Sequence, residues 1–236
     1  MSLSCLAPLH HRKQLIKHKI VSLIPLDRHS LSDMPCDTRW RRTDHADDVA
    51  EELFTMSRIP PVDRNTTNGS VRTNFDAIQQ RLGVVPNSMR TMAQSPSVLE
   101  AYLGFSGALR RGRLPVALHE QIALAVAETN SCDYCLSAHT ALGRGAGLSN
   151  DDLAASREAR AADPKATAAL QFARAVVDRR GDIHDQDLAR VRAAGYLDGE
   201  IAEIIAHVAL NVFTNYFNRA AQTDIDFPWV TAGQLA

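Results

Sequence analysis

Cys132 and Cys135 stand three residues apart, and His139 follows Cys135 by four, in a chain of 236 residues. On a helix each residue advances by about 100°, so steps of three, four and seven all return near the starting direction. The three side chains therefore share one face. Two thiols at this spacing can close a disulfide within a single turn. The thiolate is the reactive form, so something must lower a thiol pKa. Two agents are available: the positive end of a helix beginning near Cys132, and the imidazole of His139, placed to accept a proton from Cys135. Glu120, twelve residues before Cys132, is the candidate carboxylate to orient that imidazole or pass its proton onward. A turn at Asn130-Ser131 would fold its helix back toward the cysteines. The helix-end field favours Cys132, whereas the His139 spacing favours Cys135. A positioned base acts on one thiol while the field spreads over both, so Cys135 is the expected nucleophile.

Each element has a plainer reading. A lone C-x-x-C can be half of a zinc site, but structural zinc usually takes four protein ligands, and no second C-x-x-C follows. Small cysteines also bury readily as core filler. Carboxylates are usually solvated, which is the reading for Glu128 and Asp133. His119 and His207 read as core or surface histidines, with His207 the one that could line the site. The expectation is therefore a site of Cys132, Cys135, His139 and Glu120 that needs no metal and no organic cofactor.

The elements that must position these groups are all helical. A periodic segment runs from Val71 to Leu82 and stops at Gly83, and Pro86 opens a short helix. Ser95-Pro96 is an N-cap followed by proline at the first helical position, for a helix to about Arg111. Pro115 opens a helix to Asn130 or Ser131, and another runs from near Cys132 to Gly145 or Gly147. Ser149 to Asp152 resembles a capping box with Asp for Glu, for a helix to about Arg160. Asp163-Pro164 starts a helix closed by Gly181, and Asp185 to Ala194 is closed by Gly195. The last helix follows Asp198, with Ile201, Ile204, Ile205, Val208, Val212, Phe213, Tyr216 and Phe217 at three- and four-residue steps. Its broad apolar seam suits both the domain's own core and another subunit, and Asn211, Asn215 and Asn218 share it. The fold class is all-α, with about eight helices.

Composition narrows the setting. The net charge of -1 gives no field toward nucleic acid or an anionic membrane. No apolar run approaches the roughly 20 residues that span a bilayer. The four cysteines are too sparse for a disulfide scaffold, and no secretory signal is visible, so a reducing, cytoplasmic compartment is expected. Residues 1–55 hold five of the nine histidines, and Lys13, Lys17 and Lys19, without any sustained apolar period. They read as an irregular or disordered N-terminal extension, or as residues preceding a natural start at Met56; residues 56–236 form the helical domain.

Glu120, Cys132, Cys135 and His139 together resemble the motif of the AhpD-like alkylhydroperoxidases of the carboxymuconolactone decarboxylase superfamily. The neighbouring stretches Leu82 to Asn87, Glu120 to Leu124 and Ala206 to Asn211 agree, and the resemblance covers roughly Met56 to Val230. It implies an AhpD-like helical fold that assembles as a homo-oligomer, trimer or hexamer. It also implies reduction of hydroperoxides, with Cys135 attacking, Cys132 resolving the sulfenic acid to a disulfide, and His139 and Glu120 relaying protons. An external dithiol or protein reductant is then the second partner. Tyr134 departs from a mycobacterial member of the family, which has histidine there. The branch that decarboxylates carboxymuconolactone lacks the cysteine pair, so the chain does not resemble a decarboxylase. Two alternatives remain: a protein-disulfide reductase or redox relay, and a non-catalytic redox-sensing oligomeric module.

Overall fold

The computed structural model describes residues 57–234, so the N-terminal extension and Met56 lie outside the described residues. Nine helices and no strand occur among these residues: α1 Gly69–Leu82, α2 Asn87–Met92, α3 Pro96–Leu109, α4 Val116–Thr129, α5 Asp133–Gly145, α6 Asn150–Arg157, α7 Pro164–Asp178, α8 Asp185–Ala193 and α9 Asp198–Ala221. The all-α expectation holds, with one helix beyond the expected eight.

The local signals act where the sequence carries them. Gly83 ends α1 in the left-handed region at φ 76°. Ser149 and Asp152 form a reciprocal capping box, and the Asp163 carboxylate accepts from Lys165 and Ala166 at the start of α7. Ser95 precedes α3 as expected, but its side chain makes no capping hydrogen bond. Helix α6 stops at Arg157, short of Arg160, because Ala159 turns left-handed at φ 57° and the Arg160 N–H closes back on Ala155.

Helix α4 is the axis of the molecule. Every residue from Leu118 to Ala127 is buried, so this helix is covered all round. It packs against α5, α6, α7 and α9. The main core joins Leu118, Ile122 and Val126 of α4 to Leu170, Phe172, Val191, Ile204 and Val208. Each such side chain contributes about 1.5–3 kcal/mol by leaving water. A second cluster packs Leu124 and Ala127 against both cysteines, Leu136 and Leu153, and a third joins α1, α2 and α3 through Phe75, Ile78, Met92 and Leu99. The seam of α9 divides: Ile201, Ile204 and Val208 enter the core, while Ile205, Phe213 and Tyr216 stay exposed.

Close packing of α6 and the α5–α6 turn against α5 depends on Gly143. A Cβ there would lie 2.6 Å from Leu153 Cδ2 and 3.2 Å from Leu148 Cδ1, and 3.8 Å from Glu120 Cβ. Gly143→Ala is expected to cost about 1–3 kcal/mol in denaturant unfolding, by overpacking this contact. A variant as stable as the parent would show that the helices have slack here.

After Gln222 the chain leaves the helix and lies along α4 and α5. The Val230 N–H donates to Ser137 Oγ (2.9 Å), that of Ala232 to Asp133 Oδ1 (2.9 Å), and that of Gly233 to Glu128 Oε1 (2.7 Å). Glu128 also receives Arg157 at 2.8 Å. This corrects the solvated reading of Glu128 and Asp133: they satisfy backbone donors of a strand-less tail that has no ladder to join.

Candidate active site

The site begins where α4 turns into α5. Ser131 takes φ 52°, and the Cys132 N–H closes back on the Ala127 carbonyl at 2.9 Å, which reverses the chain. From α9, Asn215 Oδ1 accepts from Asn130 Nδ2 at 3.0 Å, and Arg219 binds the Asn130 carbonyl. The turn is thus held on both sides. Cys132 is itself the N-cap of α5, and its Sγ accepts the Cys135 N–H at 3.3 Å. Both cysteines are free thiols, 1% and 2% exposed.

The two thiols differ in their surroundings. Burial alone would push Cys135 up, but hydrogen bonds from Cys132 and then Asn218, with the charge of His139, outweigh it and bring it down to about 7. Asn218 Nδ2 on α9 donates to Cys135 Sγ at 3.4 Å. Cys132 is driven up instead, first by its hydrogen bond to Cys135 and then by burial. The surroundings therefore favour negative charge on Cys135 and protonation of Cys132.

Glu120 projects from α4 and His139 from α5, and their side chains meet with Nδ1 2.7 Å from Oε2. Burial opposes charge on both. It would lower His139, but the Glu120 hydrogen bond and charge raise it; it would raise Glu120, but the His139 hydrogen bond lowers it. Both directions favour the charged pair, imidazolium with carboxylate. Among the described residues no hydrogen bond joins His139 directly to Cys135, in contrast to the direct thiol–imidazole contact expected from the helical spacing. Nδ1 is committed to Glu120, which leaves Nε2 as the nitrogen available to exchange a proton.

Cys135 and His139 open together onto a cavity of about 130 Å³, whose wall includes Met89, Tyr134, Asn218 and Phe227. Cys132 is not among its lining residues. Tyr134 ties the wall together: its hydroxyl donates to Asp226 Oδ1 at 2.8 Å and accepts the Ser88 N–H at 3.0 Å, and its ring meets Phe227 edge-on. Tyr134→Phe would leave the Ser88 donor and the Asp226 acceptor unmatched. It is expected to lower unfolding free energy by about 1–3 kcal/mol in a urea titration; an unchanged midpoint would refute the tie.

Behind the Glu120–His139 couple, His119 and His207 stack with centroids 4.1 Å apart. Burial lowers both, His207 to about 4, so both rings are neutral. They line a smaller cavity of about 50 Å³ with Glu120 and His139, so the reading of these histidines as core residues holds, and both reach the edge of the site. Sequence reasoning missed Asn215 and Asn218 as partners of the turn and the thiol. Their presence on an otherwise apolar helix was the available signal, because buried amides need partners. Among the described residues no group of three or more His, Cys, Asp or Glu comes together as metal ligands.

Comparison with known proteins agrees with this architecture. Residues 96–178, which carry Glu120, both cysteines and His139, match the model of the carboxymuconolactone decarboxylase family. No curated protein matches the sequence. Among solved structures, the alkylhydroperoxidase AhpD core of an uncharacterized peroxidase-related protein from Ralstonia eutropha JMP134 is similar at 24% identity and TM-score 0.66, covering 72% of this chain and 93% of that one. An uncharacterized peroxidase-related protein from Silicibacter sp. TM1040 is similar at 23% identity and TM-score 0.63, covering 75% and 94%. The debrominase Bmp8 in complex with 2,3,4-tribromopyrrole is similar at 22% identity and TM-score 0.63, covering 71% and 91%. At these identities the structural likeness speaks for the fold, so one fold serves more than one chemistry. The family match falls on the stretch that bears the motif, and the likeness to the AhpD core is one of fold.

Proposed function

We propose that the chain is a thiol peroxidase that reduces organic hydroperoxides through Cys135 and Cys132. The observation that carries this reading is that Cys135, the sulfur with the lowered pKa, lines the cavity together with His139, while Cys132 does not. The Cys135 thiolate attacks the terminal oxygen of ROOH, and the O–O bond breaks. The leaving alkoxide takes a proton from His139 and departs as ROH, leaving Cys135 as the sulfenic acid. Glu120 holds the imidazole in place and stabilises its charge. Cys132 then attacks the sulfenic sulfur, its proton leaves with the hydroxyl as water, and a Cys132–Cys135 disulfide remains. An external dithiol supplies two electrons to restore both thiols.

Burial of both sulfurs weighs against the alternative in which the pair exchanges with protein disulfides. The debrominase likeness brings a second substrate class into consideration, because displacing bromine from a ring is also a two-electron thiol reduction. A panel of organic hydroperoxides and a brominated pyrrole would separate them. In this reading the exposed Ile205, Phe213 and Tyr216 of α9 serve self-association, as a trimer or hexamer, and the reducing cytoplasm supplies the dithiol. No helix among the described residues is long and apolar enough to cross a membrane.

The test is stoichiometric. Addition of one equivalent of cumene hydroperoxide to the reduced protein, with its four cysteines, is expected to remove two thiols. Peptide mapping is expected to locate the new bond at Cys132–Cys135. Cys132→Ser should stop at a sulfenic acid on Cys135 that dimedone traps. Unchanged thiol content after peroxide would refute the reading.

A further inference from the structure

The cavity in front of Cys135 contains a charge pattern that the thiol chemistry leaves unused. Besides His139, its charged lining residues are Arg81 and Arg110, and no carboxylate lines it. Arg81 lies in the last turn of α1 and Arg110 is the C-cap residue of α3, so two separate helices deliver a guanidinium to one opening. Both side chains are exposed, and among the described residues neither forms an ion pair or a side-chain hydrogen bond. Elsewhere among the described residues the arginines that border carboxylates are paired, as Arg157 is with Glu128 and Arg192 with Asp198.

A cation at a helix C-terminus is favourable without any ligand. That accounts for each arginine singly but not for their convergence on the mouth of the cavity that holds the reactive thiol. Their charge also reaches inward. Arg110 also lines the smaller cavity with Glu120 and opposes protonation of Glu120, His119, His139 and His207, and both arginines act on Tyr102, whose hydroxyl is otherwise raised by burial. The rest of the lining is mostly apolar, including Leu82, Val84, Met89 and Phe227. An apolar chamber with a cationic rim matches a compact organic body that bears an anionic group at its outer end. A guanidinium fork fits a carboxylate in particular.

Resting on the peroxidase reading, we propose that Arg110, assisted by Arg81, forms an anion subsite that selects compact organic hydroperoxides bearing a carboxylate. The hydroperoxide group enters toward Cys135 and the carboxylate stays at the rim. The arginines contact substrate away from the reacting atoms, so their contribution falls on binding and selectivity rather than on O–O cleavage.

A matched pair of substrates tests this: the para-carboxylate of cumene hydroperoxide and its methyl ester, which replaces the negative charge with one methyl group. The full-length enzyme is expected to show at least tenfold higher kcat/KM for the acid at low ionic strength, with the advantage shrinking as salt rises. Arg110→Gln should bring the acid-to-ester ratio of kcat/KM to near one, through the KM of the acid; Arg110→Lys should restore part of the preference. Equal rates for acid and ester in the parent would overturn the subsite. An equal change in the rates of both substrates in Arg110→Gln would do so too, by showing that Arg110 acts through its field on the catalytic groups and does not select the anion. A binding arm separates this inference from the peroxidase reading. Calorimetry with 4-isopropylbenzoate, which lacks the O–O bond, is expected to show binding to the parent and loss of binding in Arg110→Gln. Binding without turnover of either peroxide would retain the subsite and remove the peroxidase; absence of binding would remove the subsite whatever the turnover.

Discussion

Cys135→Ser is expected to abolish hydroperoxide consumption, by at least about 10³-fold in kcat/KM, while leaving the helical body folded. A serine hydroxyl stays protonated near neutral pH and is a poor nucleophile toward peroxide oxygen, so the first bond cannot form. The Asn218 amide that donates to the sulfur at 3.4 Å would find a hydroxyl oxygen in the same place, so no buried donor is orphaned. Far-ultraviolet dichroism and the thermal midpoint should therefore change little. The contrast with Cys132→Ser is the informative part. That variant retains the attacking thiol, so it should complete one turnover and stall at the sulfenic acid. Full steady-state activity in Cys135→Ser would assign the chemistry to another group.

Glu120→Gln should produce the second large effect, about 10²–10³-fold in kcat/KM, because it removes the charge that keeps His139 protonated. The sign follows from the observed directions. The active form needs Cys135 as thiolate and His139 as imidazolium. Activity therefore rises with pH through the Cys135 value of about 7 and falls as pH passes the raised value of His139. Without the carboxylate, the buried imidazole drops and the descending limb moves to lower pH. With less positive charge beside it, the thiol rises and the ascending limb moves to higher pH. The bell narrows and sinks. Stability carries the same signature. The His139 contribution is fully present below its unfolded value and is lost as pH rises through its raised folded value. The Glu120 contribution is present above its unfolded value and is lost as pH falls through its lowered folded value. The parent's advantage over Glu120→Gln should thus be greatest between those limits and shrink on both sides. A pH–rate profile of unchanged width would show that Glu120 has no part in setting the charge of His139.

How much of this could be read in the residues depends on how local the physics is. Helix ends were legible at Gly83, Ser149 and Asp163, because caps act within one turn. The shared face of Cys132, Cys135 and His139 follows from helical angles alone. The meeting of Glu120 with His139 needed a tertiary event, the reversal at Ser131, which the sequence marked only as a turn. Residues whose roles depend on distant partners were out of reach. Asn218 on α9 touches a sulfur 83 positions away, and Tyr134 is bound to an aspartate 92 positions on. Glu128 and Asp133 read as ordinary surface acids because nothing near them in sequence announces the tail they hold. The shared face brought imidazole and thiol to one cavity, but the hydrogen bond of the imidazole is with the carboxylate of the neighbouring helix.

Because Cys135 lines the chamber and Cys132 does not, the proposed peroxidase would have oxidant and reductant visit the same sulfur by the same route. The incoming dithiol has to reach the bond where the peroxide reached the thiolate. The two reactants therefore cannot be accommodated together, and each must clear the doorway before the other arrives. Such an arrangement dictates an alternating cycle in which surplus electron donor obstructs the oxidant instead of hastening it. The shape of the entrance, and with it the bulk of the donor, governs throughput as firmly as the reactivity of the sulfur.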